Sequence, residues 1–360
     1  MMSEREIYER ISRLDFDRSN ELVTILSGEH MGRKALFTDG KEVWSSIPES
    51  AGEIAKMNPG NLFRETLGHT KTLVVCGAGY VGQAVIRLGK VLGWHVVSID
   101  DRVDFAGQAK LAGADRVICD EFAHALSGAF EEEKSLQAGA PEKAESSRED
   151  VPFSYDADTF FVVVTRGHSW DAQCLHEILK HPFGYLGMMG SRVRSARMRD
   201  RLLDEGFSRE TVDKLHAPVG LKIGAQTPSE IAVSILAEII QVRQSMPQDN
   251  VFPDDLMESI LESGEGKAVL VTIVACRGSA PRKAGTRMLV KADGTTKETV
   301  GGGCMEAEIV RRARDILSEV SDGKLRQGYC ENYTVDLTGR SGNASDMVCG
   351  GITQVILEII

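Results

Sequence analysis

This 360-residue sequence predicts a doubly wound α/β domain with a parallel sheet, followed by a smaller α+β domain. Three observations carry that expectation. Between Thr72 and about Arg243, short continuous β-branched runs alternate with helical periodicity, as expected of strands covered by helices on both faces. A glycine-rich turn joins the first of these runs to the first helical stretch. From Ala268 onward, a second set of strand signals is interrupted by a single helix. The length fits two domains at roughly 100–200 residues each.

Composition narrows the class. Hydrophobic residues make up 42% and charged residues 26%, as in a globular chain. Lys and Arg number 42 against 53 Asp and Glu, and the net charge of −11 argues against nucleic-acid binding by phosphate neutralisation. No apolar run is long enough to cross a bilayer, and the opening MMSEREIYERISR is too charged for a secretory signal. Seven cysteines without a C-x-x-C pair fit a reducing cytoplasm better than a disulfide framework. A cytoplasmic protein that spans no membrane is the expectation.

Taken in order, residues 1–65 open with a charged amphipathic stretch and a short strand signal, Leu22-Val23-Thr24-Ile25. Residues 66–245 form the first domain, with strands at Leu73–Cys76, Val96–Ile99, Arg116–Cys119 and Phe160–Val164. Between the first two lies an apolar stripe of Val81, Ala84, Val85, Leu88, Val91 and Leu92 at helical spacing, completing a βαβ unit. Residues 129–150, rich in Glu, Lys, Ala and Ser, lack the apolar surface to offset their ordering entropy and read as a flexible insertion. A linker around Ser245–Asn250 leads into residues 246–360. There a helix near Asp254–Glu262 precedes strands at 268–276, 287–291, 333–337 and 353–359, with a helix at 306–320.

A weak internal repeat is also present. Leu22-Val23-Thr24-Ile25, Gly32-Arg33-Lys34-Ala35-Leu36 and Asp39-Gly40 echo Leu270-Val271-Thr272-Ile273, Gly285-Thr286-Arg287-Met288-Leu289 and Asp293-Gly294. Chance likeness of two hairpins closed by Asp-Gly turns is the competing explanation. A degenerate remnant of the small domain is the other.

Gly77-Ala78-Gly79-Tyr80-Val81-Gly82 follows a buried strand and opens a helix, which marks a Rossmann-like domain. Gly77 permits the tight turn, Gly79 lets backbone approach a pyrophosphate, and Gly82 lets helix and strand pack closely. Asp100, at the end of the next strand, is placed to accept both ribose hydroxyls and so favours NAD over NADP, with Asp101 the competitor for that role and Arg102 weighing against the NAD preference. A loop that merely turns the chain is the alternative.

Thr165-Arg166-Gly167-His168 follows the fourth strand, so His168 is a candidate for the nucleotide crevice, with Asp171 one turn away to orient it. The alternative is a polar loop residue beside a Ser169 cap. Gly190-Ser191-Arg192 begins a helix carrying five arginines. Ser191 at the N-cap with Arg192 behind it suits a second anion, and a solvated basic face is the competing reading. Thr227-Pro228-Ser229-Glu230 is a capping box with a structural role.

The second domain holds Gly278-Ser279-Ala280-Pro281-Arg282, Gly301-Gly302-Gly303-Cys304-Met305-Glu306 and Cys349-Gly350-Gly351. A thiol at a helix N-terminus is more thiolate at neutral pH, which makes Cys304 the candidate reactive thiol. Bare glycine backbone beside thiols and Arg282 suits an anionic, sulfur-containing or soft-metal ligand. Zinc is disfavoured, because no ligands pair at short spacing and all eight histidines precede residue 217. The plainer reading makes Cys304 and Cys349 small packing residues at tight turns.

These second-domain motifs resemble the small domain of the XdhC/CoxI family. Gly77–Gly82, Thr165–His168, Gly187–Arg192 and Pro218–Ala225 with Thr227–Glu230 resemble its Rossmann domain. The likeness spans about residues 70–360. It implies a non-enzymatic maturation factor that binds molybdenum cofactor (molybdopterin), protects it during sulfuration and delivers it to an apo-hydroxylase of the xanthine dehydrogenase type. It implies as partners that hydroxylase and a cysteine desulfurase acting as cofactor sulfurase, and a homodimeric state. The implied cofactor site comprises Arg282, Gly302, Gly303, Cys304, Glu306 and Cys349, with molybdenum near the two thiols. The small domain usually precedes the Rossmann domain in this family, and here it follows. An NAD(P)-dependent oxidoreductase and a thiol-based redox sensor are the rival readings.

Overall fold

The charged opening stretch buries one apolar side as α1 (Arg5–Ile11), with Ile7, Tyr8 and Ile11 turned inward. It is followed by β1 (Asn20–Ile25), β2 (Lys34–Thr38), β3 (Lys41–Ser45) and β4 (Leu62–Gly68). The sequence expectations contain no β4. Leu-Phe-Arg-Glu-Thr-Leu-Gly lacks an apolar run, and Glu65 is buried there by an ion pair to Arg287, a residue far along the chain.

The next elements wind a parallel sheet. They are β5 (Thr72–Cys76), α2 (Tyr80–Val91), β6 (His95–Ile99), α3 (Val103–Leu111), β7 (Arg116–Ile118) and β8 (Thr159–Val163). Then come α4 (His168–Ile178), β9 (Tyr185–Met188), α5 (Arg192–Asp204), α6 (Arg209–Asp213), β10 (Leu215–His216) and α7 (Pro228–Arg243). The strand order is β7-β6-β5-β8-β9-β10 and every pairing is parallel. Strand order reverses between β5 and β8, the place where doubly wound sheets open a crevice at their carboxyl ends. β5, β8 and β9 are wholly buried, as their unbroken apolar runs require.

The inward face of α2 differs from the expected stripe. Ala84 and Val85 of that stripe are buried, but Val91 is 81% exposed, and Gly82, Ile86 and Gly89 lie inward where Val91 and Leu92 were expected. Glycine at 89 sets this rotation. A Cβ there would stand 2.8 Å from Leu73 and 3.1 Å from Val96, so only a bare backbone lets the helix sit this close to the sheet.

The chain closes with β11 (Asn250–Val251), α8 (Asp254–Glu262), β12 (Ala268–Gly278), β13 (Arg287–Lys291), β14 (Thr296–Lys297), α9 (Gly303–Ser321), β15 (Cys330–Asp336) and β16 (Gly351–Ile359). β14-β13-β12-β16-β15 form one sheet, and β11 joins β4 at the edge of the order β11-β4-β1-β2-β3. Leu22, Leu36 and Leu67 of one sheet share an apolar core with Leu270 and Leu289 of the other and with α1 and α8.

This computed structural model describes residues 5–16, 18–46, 54–127, 155–246, 249–264, 266–278, 282–326, 328–336 and 351–360. The chain divides into two compact units, residues 1–69 with 249–360 and residues 70–248. The predicted insertion at 129–150 and Cys349 lie outside the described residues, as do Ser279–Pro281. The parallel Rossmann sheet and a separate α+β unit are thus the expected fold class, but with residues 1–69 included the α+β unit is as long as the Rossmann unit and is not the smaller of the two. No helix among the described residues is long and apolar enough to cross a membrane.

Candidate functional site

In the α+β unit, the glycine and cysteine motifs converge on one end of the sheet. β12 and β16 pair so that Gly278 lies opposite Gly351 and Cys276 opposite Thr353. β15 ends at the same level, with Val335 opposite Thr353 and Asp336 opposite Ile352. Two side-chain contacts fix the direction of α9. Tyr333 donates to Glu308 at 2.8 Å, and Arg312 holds Glu331 at 2.6 Å. Rising numbers on the helix meet falling numbers on β15, so the two run antiparallel. The N-terminus of α9, Gly303-Cys304, therefore points to the sheet end where Gly278 and Gly351 meet.

Gly301, Gly302 and Gly303 all hold positive φ, at 132°, 72° and 67°. A side chain is strained in that region, which is why three glycines stand in sequence. A Cβ at Gly302 or Gly303 would meet nothing within 4 Å, so there is open space beside the loop, while the N–H groups of Gly301 and Gly302 are taken by Thr299 and Glu306. Cys304 is half-buried in the first turn of α9.

Glu306 does a different job from the one expected of it. Its carboxylate accepts from the backbone N–H of Val300 and of Gly302, both at 3.0 Å, and from the hydroxyl of Thr299. Burial pushes this carboxyl up, but the Thr299 and backbone hydrogen bonds outweigh it and hold the group below its ordinary 4.5. Glu306 thus anchors the triple-glycine loop from within, at backbone amides of the segment expected to meet an anionic ligand.

Arg282 is exposed, and its carbonyl accepts from Cys276 Sγ at 3.3 Å. Burial raises the Cys276 thiol, with Thr353 opposing. Cys276 and Thr299 belong to this sheet end and were missed in the sequence. Their only signal is proximity to a motif, two residues before Gly278 and two before Gly301.

The carboxyl edge of the parallel sheet gathers the second group of residues. Gly77, at φ 110°, leaves no room for a side chain: a Cβ would stand 2.6 Å from the Val164 carbonyl. Gly82 packs still more tightly against the Gly77 carbonyl, while Gly79, the N-cap of α2, faces open space. The loop therefore has the shape expected of a phosphate-approaching turn.

Asp100 is placed at this loop but is not free. Its carboxylate accepts from the Ala78 N–H at 2.7 Å and from the Arg102 guanidinium at 2.9 Å through both oxygens, with no exposed side-chain surface. Asp101 is gripped by Arg166, whose hydrogen bonds hold that carboxyl below its ordinary value against a smaller desolvation. Arg102 stacks 3.5 Å over Phe105 and Arg166 3.8 Å over Trp170.

His168 opens α4 and is exposed, with Gly167 as the N-cap in place of the expected Ser169. Asp171 does not orient it. That buried carboxylate accepts from Thr165 at 2.5 Å and from Arg194, and burial nonetheless keeps it above its ordinary value. Ser191 caps α5 by accepting from Arg194 N–H at 3.2 Å, and Arg192 is exposed. The arginine helix is more than a solvated basic face, since Arg199 donates to the carbonyls of Val212 and Leu215 and ties α5 to the strand edge.

Comparison with known proteins follows this division. Residues 73–239 match the family described as the XdhC Rossmann domain, and residues 261–326 match the XdhC and CoxI family. An uncharacterized Escherichia coli protein, YqeB, is 29% identical over 187 residues, covering 52% of this chain and 30% of that protein. A Bacillus subtilis protein described as a probable subunit of xanthine dehydrogenase is 32% identical over 184 residues, 51% of this chain and 46% of that one. The E. coli molybdenum cofactor insertion chaperone PaoD is 43% identical over 68 residues, 19% of this chain and 21% of that one. The chain spans less than half the length of each of these curated relatives. A solved structure described as a xanthine dehydrogenase from Bacillus halodurans aligns with a TM-score of 0.48 at 24% identity, over 67% of this chain and 66% of that one. With a Rossmann match on the parallel-sheet unit and a small-domain match beginning in α8 and running past α9, the chain belongs to the XdhC/CoxI family.

Proposed function

We propose that this protein is a maturation factor that binds molybdenum cofactor, protects it and delivers it to a hydroxylase of the xanthine dehydrogenase type. The observation that carries this reading is the convergence of Gly278, Gly351 and the Gly301–Cys304 turn on one sheet end. Open space beside Gly302 and Gly303, a half-buried thiol and the nearby Arg282 chain fit an anionic, sulfur-rich ligand. Arg282, Cys304 and the glycine backbone would hold the cofactor, joined by Cys349. When bound, the cofactor supplies the molybdenum centre on which a hydroxylase depends. Glu306 keeps the triple-glycine loop in shape and leaves the thiol side of the turn to the ligand.

PaoD, named as an insertion chaperone, supports the delivery role. The apo-hydroxylase and a cysteine desulfurase acting as sulfurase are the proposed partners, in a cytoplasmic setting, and two copies of the chain are proposed to associate. The Gly77–Gly82 loop suits a phosphate-bearing group, NAD included. The engagement of Asp100 by Arg102 counts against a free ribose acceptor and against the oxidoreductase alternative.

Native mass spectrometry of protein purified anaerobically from a molybdenum-fed host tests the reading. The parent should retain molybdopterin, and Cys304→Ser should lose retention or delivery to a client apo-hydroxylase with little loss of stability. Cys76→Ser, wholly buried in β5, should harm stability and spare delivery. Delivery by Cys304→Ser at the parent rate overturns the assignment of the thiol. Bound NAD with no molybdopterin would favour the oxidoreductase or redox-sensor readings.

A further inference from the structure

The internal repeat is built into the α+β unit residue by residue. In both copies a helix burying three apolar side chains at matched spacing precedes the sheet, with Ile7, Tyr8 and Ile11 answering to Leu256, Met257 and Ile260. β1 pairs with β2 so that Leu22 faces Leu36 and Thr24 faces Lys34. β12 pairs with β13 so that Leu270 faces Leu289 and Thr272 faces Arg287. On the other side, Leu22 faces Glu65 and Thr24 faces Phe63 in β4, as Leu270 faces Glu358 and Thr272 faces Ile356 in β16. The hairpin closures also agree. Gly32 N–H donates to Ile25 at 2.9 Å and Gly285 N–H to Ile273 at 2.8 Å, each glycine at positive φ.

Lys34 is therefore the counterpart of Arg287, and Glu65 the counterpart of Glu358. These four side chains, all buried, pair across the copies. Lys34 Nζ meets Glu358 at 2.6 Å, and Arg287 holds Glu65. Cation of the first copy to anion of the second, and anion of the first to cation of the second, is the self-complementary pattern of a twofold interface. A small pocket lined by both threonines and all four charged groups lies between the copies.

We infer that residues 5–69 act as a built-in second copy of the 249–360 half, filling within one chain the face through which two such halves would pair as a symmetric dimer. The partner this face fits is another copy of the same half, because Arg287 and Glu358 would satisfy each other twice across a twofold axis. One functional consequence follows. Only residues 46–61 separate β3 from β4, whereas residues 298–350 separate β14 from β16 and carry α9 and β15. The N-terminal copy thus has no room for a Gly-Cys helix, and each pair of halves bears a single thiol turn where a true dimer would bear two. Any association of whole chains uses another surface. This inference stands independently of which ligand the thiol turn holds.

The test uses the full-length chain. In Lys34→Glu/Glu65→Lys, like charges face each other within the chain, while Arg287 and Glu358 still complement a second copy. Light scattering after size exclusion should show a discrete species of twice the parent mass with a cooperative melt. Adding Arg287→Glu and Glu358→Lys restores complementarity within the chain, and the fourfold variant should return to the parent mass. A double variant that keeps the parent mass, or that aggregates without a discrete doubled species, overturns the inference. So does a fourfold variant that stays doubled.

Discussion

At the scale of single residues, the polar partners decide what the motif residues do. Glu306→Gln keeps shape and one acceptor but removes the charge that gathers two loop amides and a hydroxyl. Replacing charge-assisted bonds by neutral ones costs about 1 kcal/mol, a Tm loss of roughly 2–4 °C for a unit of this size. The pH dependence has a fixed sign. Glu306 titrates lower folded than unfolded, so its contribution is full above its ordinary 4.5 and fades as pH falls through the folded value. Melting the parent and Glu306→Gln between pH 7 and pH 3 should show their Tm difference shrink at the acid end. Asp100→Asn should destabilise as well, by about 1.5–3 kcal/mol, because a buried carboxylate holding Ala78 N–H and Arg102 is lost. An unchanged Tm with weaker dinucleotide binding by calorimetry would instead restore the ribose-acceptor role. The glycines and Cys304 were legible in the sequence because loop geometry and helix position are local. The partners of Asp100 and Asp171 were less so: Asp171 meets an arginine 23 residues away, which no spacing rule announces.

At the scale of elements, the apolar strand runs and the Thr227 capping box were readable, and the full inward face of α2 was not. Thr227 and Glu230 form the reciprocal capping box that their spacing predicts. The rotation of α2 escaped because hydrophobicity pointed to Val91, while the fit of Gly89 against β5 and β6 decided the inward face. Gly89→Ala tests this. Alanine is the better helix former by about 1 kcal/mol, so an exposed site would gain stability. Here its Cβ would press on Leu73 and Val96, and overpacking of about 1–3 kcal/mol should win, lowering Tm by a few degrees. A raised Tm would mean that the helix can ride outward at little cost. β4 was missed for the converse reason, since its register rests on a buried glutamate rather than an apolar alternation.

At the scale of the whole molecule, the repeat was visible as a faint echo, but nothing local says that the copies meet. Their contact joins residues more than 200 positions apart, through the shared leucine core and through the pairing of Lys34 with Glu358 and of Arg287 with Glu65. The energetics of such pairs are lopsided. Removing one partner strands a buried charge, which costs about 3–5 kcal/mol, whereas replacing both by apolar groups is often near neutral. Lys34→Met should therefore lower Tm by roughly 6–20 °C, since among the described residues Glu358 then keeps only the Tyr8 hydroxyl at 3.0 Å for its charge. Lys34→Met/Glu358→Leu should recover most of that loss, though Tyr8 then forfeits its acceptor and recovery stays incomplete. Thermal melts of the two single variants and the double variant measure the coupling. A loss in the double variant equal to the sum of the two single losses would mean that the ion pair adds nothing to closure, and that the apolar core of Leu22, Leu36, Leu270 and Leu289 alone joins the two copies.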